Sequence, residues 1–377
     1  MFKEYNLVIV GAGLFGSVVA EQASRAGHRV AVVERRDHIG GNCYTETDAD
    51  TGINVHKYGP HIFHTSNQAI WDYINQFTEF NAYRQRARSS HNGKLYSFPI
   101  HLSTINQLLG KDFTPTEAEA WLESERIPNA NPANYEEQAL ALVGPTLYNA
   151  FIRGYTEKQW GCDPRELPAS VARRLPVRTN YNDGYFFDKW EAMPVDGYTP
   201  VFERMLDHPN IQVFLDTDWA DVKHHITNQL VVYTGPIDLY YNYCYGELKW
   251  RTLDFEYRTE TVDDQQGCCQ INYPDLDVGW TREIEHKYFH PERKTVPGKT
   301  IIHREYSRLA TQADTPYYPV KTEEDIVRYE QYRSLANAEP NTIIGGRLGE
   351  YMYYDMHQVI GSALACYKNK IQERLSK

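Results

Sequence analysis

YNLVIVGAGLFGSVVAEQASRAGHRVAVVE, residues 5–34, decides the fold. YNLVIV is a short run of apolar and β-branched residues, the pattern of a strand buried on both faces of a parallel sheet. GAGLFG follows at once. SVVAEQASRAG then carries Val18, Val19, Ala23 and Ala26 at near-helical spacing and stops on Gly27. HRVAVVE reads as a second strand ending on Glu34. Gly11, Gly13 and Gly16 therefore lie between a strand and a helix, with an acid 18 residues past the last of them. In that setting GxGxxG is a dinucleotide-binding fingerprint. Gly11 allows the tight turn, Gly13 lets a pyrophosphate approach the backbone, and Gly16 lets the helix pack on the strand. The helix N-terminus offers unpaired N–H groups and the positive end of its dipole to phosphates. Glu34 is placed to accept hydrogen bonds from a ribose.

The rest of the composition sets bounds. A chain of 377 residues can build two or three domains. Its formal charge of −11 excludes a general polyanion binder, so no nucleic-acid partner is expected, although a local arginine pocket for a phosphorylated small molecule is compatible with it. No segment approaches 18 uninterrupted apolar residues, so no membrane span is expected. The N-terminus runs straight into a strand without the pattern of a signal peptide, which points to the cytoplasm. Cys43, Cys162, Cys244, Cys268, Cys269 and Cys366 form no CxxC pair and read as reduced thiols.

Further along, residues 68–165 are dominated by helical patterns: QAIWDYINQFTEF, TPTEAEAWLESE and NYEEQALALVGPTLYNAFIRGY, with the strand-like KLYSFPI between the first two. The tract at 127–135, IPNANPANY, is loop. Prolines at 168, 176, 194 and 200 break any long helix after 166. IQVFLDT and LVVYTGPID read as further strands of the first sheet. Residues 243–310 alternate aromatic and polar, the pattern of an antiparallel sheet. The C-terminal TIIGGRLGEYMYYDMHQVIGSALACYKNKIQ reads as strand, glycine turn, loop and a helix that Asp355 can cap.

Past Glu34, ERRDHIGGNCYT resembles the pattern of FAD-binding oxidoreductases, in which basic residues and a double glycine continue along the cofactor. That resemblance implies that the final helix points its positive end at the flavin, so the first and last segments belong to one domain. The expected fold class is α/β: a Rossmann-like FAD-binding domain with an inserted helical domain and an antiparallel β-sheet domain. The expected division is 1–80, 196–240 and 317–377 for the discontinuous FAD-binding domain, 102–165 for the helical domain, and 81–101, 166–195 and 241–316 for the sheet and substrate domain.

GNCYTE, HKYGPHIFHT, GYTEKQWG, ELPASVARRLPVR, YTGPIDLYY, PYYPV and GGRLGEYMYYDMHQVI fall in order along nearly the whole chain. Together they resemble the bacterial UDP-galactopyranose mutase family. The resemblance implies reversible isomerisation of UDP-galactopyranose and UDP-galactofuranose without net redox change. The reduced flavin of that family is the nucleophile at the anomeric carbon. Carried over residue by residue, Arg174 and Arg282 hold the diphosphate, and Tyr185, Tyr318 and Tyr353 face it. Tyr155 and Phe151 lie by the uridine. Trp160 lines the sugar pocket at the start of a mobile loop, and Asp355 lies near sugar and flavin. Gly11, Gly13, Phe15, Gly16, Glu34, Arg35, Gly41, Asn42, His61, Arg347, Tyr354, Asp355 and Met356 hold the FAD. His61 lies closest to the reacting flavin nitrogen and tunes it. His64 has a structural part, bonded to nearby backbone. Taken alone, any one of these arginines is an ordinary ion pair and any one of the 29 tyrosines an ordinary core residue.

His61 and His64, three apart with His56 upstream, could also suggest a metal, but no further ligands stand in register and none is expected. The resemblance further implies a homodimer and a reductant such as NAD(P)H. A mutase for a 2-substituted sugar such as UDP-N-acetylgalactosamine, an FAD-dependent oxidoreductase and a non-catalytic flavoprotein remain alternatives at the level of sequence.

Overall fold

The computed structural model describes residues 2–174 and 176–376, without the side chains of Ser170, Arg173 and Arg174. Its centre is a five-stranded parallel sheet in the order Thr342–Ile344, Leu230–Tyr233, Leu7–Val10, Val30–Val33, Ile211–Phe214. LVIV, VAVV and LVVY are buried at every position, as strands covered on both faces require. The register sets Val10 beside both Tyr233 and Val33, so the three central strands end level. The glycine turn leaves from that edge, where the strands on either side diverge and a crevice opens.

The helices Leu14–Arg25 and Met356–Cys366 pack against one face, burying Phe15, Val18, Val19, Ile360 and Ala363. Phe15, Val18, Val19 and Ile360 each contribute roughly 1.5–3 kcal/mol of transfer free energy. Because the strand Thr342–Ile344 sits at the sheet edge, the end of the chain completes the sheet that its beginning starts.

A seven-stranded sheet forms the second layer, in the order Tyr318–Pro319, Trp250–Glu260, Thr300–Leu309, Arg282–Glu285, Gln270–Asn272, Ala87–His91, Lys94–Phe98. It is antiparallel except between Gln270–Asn272 and Ala87–His91, which run parallel because the hairpin at 87–98 comes from a remote part of the chain. KLYSFPI thus is a strand, paired with Ala87–His91 at the sheet edge, but the place of that hairpin beside Gln270–Asn272 is a tertiary result.

The helices Leu102–Leu109, Pro115–Glu125, Tyr135–Leu147 and Arg153–Trp160 enclose a core of their own, with Leu102, Ile105, Leu122, Val143 and Leu147 buried. The pattern over 134–155 is interrupted where Gly144 takes φ 71°, ψ 170°. A Cβ there would lie 2.6 Å from the backbone oxygen of Glu125, so the helices pass too closely for any side chain. QAIWDYINQFTEF yields a shorter helix than its pattern suggests, Gln68–Ile74, capped by Asn67. Phe80 instead bridges to Pro194. The helix Glu323–Ala338 buries only Asp325 and Tyr332, and so has no apolar stripe to read.

Candidate functional site

The crevice at the end of the parallel sheet holds a cavity of about 340 Å³. Gly11, Gly13, Phe15, Glu34, Arg35, Gly41, Asn42, His61, Arg347, Tyr354 and Met356 line it. Gly11 has φ +107°, and a Cβ on it would lie 2.1 Å from Thr234 Oγ1. Gly16 does not face the cavity. A Cβ on it would lie 2.0 Å from Gly11 O and 3.0 Å from Ile9 Cγ2, so its bareness lets helix and strand touch. One oxygen of Glu34 accepts from Ala12 N at 2.8 Å and the other from Arg36 N at 3.0 Å. A carboxylate has about four acceptor sites, so a diol can still bind to it.

Residues from remote segments complete the lining: Asp218, Trp219, Lys223, Thr234, Tyr240 and Asn242. No spacing in the sequence signals them, except that Thr234 and Tyr240 fall within the quoted YTGPIDLYY. Arg35, Arg36, Lys223 and Arg347 together make the lining suit a ligand with negative charge. Arg36 Nη2 donates to Asn42 Oδ1 at 2.9 Å, while its buried Nη1 has no hydrogen-bond partner.

Beside this cavity lies a half-buried group of arginine and tyrosines. Arg282, on the strand Arg282–Glu285, interacts electrostatically with Tyr155, Tyr318 and Glu305. Tyr185 faces Arg282, Tyr318 and Asp355. Burial pushes the phenols of Tyr155, Tyr185 and Tyr318 above their ordinary value, with the Arg282 charge opposing, so all three remain proton donors at neutral pH. Trp160 lies 6.4 Å from Tyr318, and Tyr318 stacks on the exposed Tyr353 at 5.6 Å. Phe151 is 3% exposed and packs edge-on to Tyr96 at 5.2 Å, inside the helical core. Asp355 caps the helix Met356–Cys366, with Asp355 N donating to Gln358 Oε1 at 2.9 Å. Arg174 ends the short turn Ala169–Arg174, and its side chain lies outside the described residues.

Arg347 joins the two regions. Its guanidinium donates to the carbonyls of Tyr317 and Pro316, and its charge reaches Tyr318. His61 lies between them as well, with Arg347, Arg282 and Glu305 all acting on it. Its Nδ1 bonds to Gly59 O at 3.0 Å, which assigns the proton to Nδ1 and leaves Nε2 as an acceptor. Burial above all pulls its pKa down to about 4, so the ring is neutral at pH 7.

The expectation for His64 needs correction. Its Nδ1 bonds to the carboxylate of Asp188 at 2.7 Å, not to nearby backbone, and its ring stacks on Phe186 at 3.8 Å. Folding brings the 183–188 loop over it, which the local sequence does not announce. His64, Asp355 and His357 also bring one potential ligand atom each within 4.8 Å of one another.

The fold and cleft define a Rossmann-like dinucleotide-binding protein, and a sequence model of NAD(P)-binding Rossmann-like domains matches residues 9–77. A sequence model of UDP-galactopyranose mutase matches residues 150–353. The chain is 46% identical over 366 residues to a Klebsiella pneumoniae protein named "Probable UDP-galactopyranose mutase", covering 95% of this chain and 93% of that one. It is 43% identical to the dTDP-fucopyranose mutase of Escherichia coli, over 96% and 97% of the two chains. With the UDP-galactopyranose mutase of Mycoplasma pneumoniae it shares 31% identity over 98% and 97%. The crystal structure of a reduced UDP-galactopyranose mutase superimposes with a TM-score of 0.76 at 14% identity, over 98% and 94% of the chains, which speaks to fold. The chain belongs to the UDP-galactopyranose mutase family and is an isomerase. No helix among the described residues is long and apolar enough to cross a membrane.

Proposed function

We propose that this chain interconverts UDP-galactopyranose and UDP-galactofuranose with FAD as its cofactor, active in the reduced form. The observation that carries the reading is the half-buried group of Arg282, Tyr155, Tyr185 and Tyr318 set against the dinucleotide cleft, with His61 and Arg347 between. The cleft fits the cofactor: Gly11, Gly13 and Gly41 leave the backbone bare, and the cationic lining suits a pyrophosphate. Reduced FAD supplies a nucleophile for the anomeric carbon.

The chain's residues then have separable tasks. Arg282, with Arg174, stabilises the departing diphosphate and retains it. The protonated hydroxyls of Tyr155, Tyr185 and Tyr318 supply further donors, and Tyr353 stacks at the rim. Tyr155 and Phe151 form the uridine side. Trp160 covers the sugar and excludes water. His61, with Nε2 free to accept, would hold a donor of the bound cofactor, and Asp355 caps the final helix beside the cleft. The proposal includes the three-part division into FAD-binding, helical and substrate domains, NAD(P)H as reductant, a homodimer and a cytoplasmic site.

The relative named for dTDP-fucopyranose is nearly as similar as the one named for UDP-galactopyranose, 43% against 46%, and so keeps a second nucleotide sugar in view. The test is anaerobic. The purified protein is checked for bound flavin by its visible spectrum, reduced with dithionite, and given UDP-galactofuranose or dTDP-fucopyranose beside oxidised controls. Conversion of UDP-galactofuranose to the pyranose only after reduction supports the proposal, and Arg174→Ala then tests the diphosphate role. Turnover of the dTDP sugar alone moves the substrate to that class. Reduced flavin with both sugars unchanged overturns the assignment.

A further inference from the structure

Lys158 lies on the helix Arg153–Trp160, three residues after Tyr155 and two before Trp160. Its ammonium is surrounded by four backbone carbonyls of one loop: Tyr273 O at 2.5 Å and Asp275 O, Val278 O and Trp280 O at 2.9 Å each. That loop joins the strands Gln270–Asn272 and Arg282–Glu285, so it ends on Arg282. One turn earlier on the same helix face, Gly154 touches the same loop. A Cβ on it would lie 2.2 Å from Pro274 O. The loop is held from its other side as well. Asp275 accepts from His91 Nδ1 at 2.6 Å and from Asn92 N at 2.8 Å.

Four carbonyls converging on one point repel one another, and they are held together here by a single cation. An ammonium has three donors and no acceptor, so the fourth carbonyl is satisfied by charge. Shells of backbone carbonyls that replace a hydration shell are how proteins bind monovalent cations. Burial lowers the Lys158 pKa to about 8, against the raising effect of Asp275 and Asp277, as befits a cation exchanged from water into a polar cage.

We propose that the loop at 273–280 is a monovalent-cation site which Lys158 fills from within, and that this tethered cation sets the distance between Tyr155 and Trp160 on the helix and Arg282 on the strand. Lys158 is thus a positioning residue. The functional consequence rests on the reading that Tyr155 and Arg282 hold the nucleotide.

Lys158→Ala removes the tether and leaves the cage open to ammonium or K⁺. Binding of UDP is measured calorimetrically on the flavin-loaded protein in choline chloride, then in ammonium chloride or KCl at equal ionic strength. In choline the variant binds UDP about ten- to a hundredfold more weakly than the parent protein. Ammonium or K⁺ restores most of that loss. Without nucleotide, the same cations raise the melting temperature of Lys158→Ala over choline and leave the parent unchanged. Lys158→Met keeps the stem, fills the space and binds UDP weakly in every salt. Either variant binding UDP as tightly as the parent in choline overturns the proposal. So does equal melting of Lys158→Ala in ammonium and choline. If the parent itself fails to bind UDP, the nucleotide reading fails, while the melting comparison still decides the cage.

Discussion

Arg282 and Glu305 face each other in register on adjacent antiparallel strands, and the arginine Nε donates to Glu305 Oε2. The other glutamate oxygen accepts from His303 Nε2 at 3.1 Å, and His303 Nδ1 lies 2.7 Å from His286 Nε2. His56 N donates to His286 Nδ1 at 3.3 Å. A backbone N–H can only donate, so the direction of every bond in the chain follows. His286 Nδ1 accepts, its Nε2 donates to His303 Nδ1, and His303 Nε2 donates to Glu305. Burial lowers the pKa of both histidines, which stay neutral and leave Glu305 as the anion that orients Arg282.

Glu305→Gln keeps the shape and removes the anion. Its expected effect is a fall in kcat/KM of tenfold or more, as for loss of one member of a buried charge pair worth about 2 kcal/mol or more. A stability effect follows from the titration. Burial raises the Glu305 pKa, but Arg282 and His303 outweigh it and hold it below the ordinary value. The pair therefore stabilises the fold above the unfolded carboxyl pKa of about 4.3, and that stability disappears as pH falls through the lower, folded value. Urea midpoints across this range have a shallower acid slope in Glu305→Gln than in the parent.

With a pKa of about 4, His61 does not titrate between neutrality and mild acid. The acid limb of kcat for reduced enzyme is expected to lack an inflection near the ordinary histidine value of about 6.5. His61→Ala removes the Nε2 acceptor and is expected to reduce kcat about tenfold or more. Turnover of His61→Ala at the parental rate in reduced enzyme would rule out that role.

Gly11→Ala places a methyl 2.1 Å from Thr234 Oγ1 in a backbone conformation of φ +107°. The strain costs about 1–3 kcal/mol, and relieving it moves the turn that faces the cleft. The expected result is a lower melting temperature and loss of most bound flavin, read from the ratio of visible to ultraviolet absorbance.

Arg251 anchors the end of the helix that carries Trp160. Its Nε donates to Gln159 O at 3.0 Å, its Nη2 reaches Lys158 O at 3.4 Å, and the residue is 5% exposed. Arg251→Met leaves these helix-end carbonyls without their cation. It is expected to cost about 2 kcal/mol in urea unfolding and to lower kcat through a less well placed Trp160.

The dinucleotide half of the protein was legible because its determinants are local. A strand, a glycine turn and a helix occupy consecutive residues, and hydrophobic period and glycine spacing report them directly. Residues 342–344 were legible as a strand for the same reason. The Glu323–Ala338 helix was not, because only Asp325 and Tyr332 of it are buried. The motif resemblance named Arg282, Tyr155 and Tyr318, yet it left their partners unassigned.

By itself the sequence determined the strands of the parallel sheet and which turn faces a dinucleotide, since backbone sterics and burial periodicity act over a few residues. Tertiary structure alone decided that Glu305 and two neutral histidines orient Arg282, that Asp188 pairs with His64, and that Lys158 gathers four carbonyls from a loop more than a hundred residues away. Such contacts depend on which strands pair and how helix and loop meet. A hydrogen bond between distant segments leaves no periodic trace in either of them.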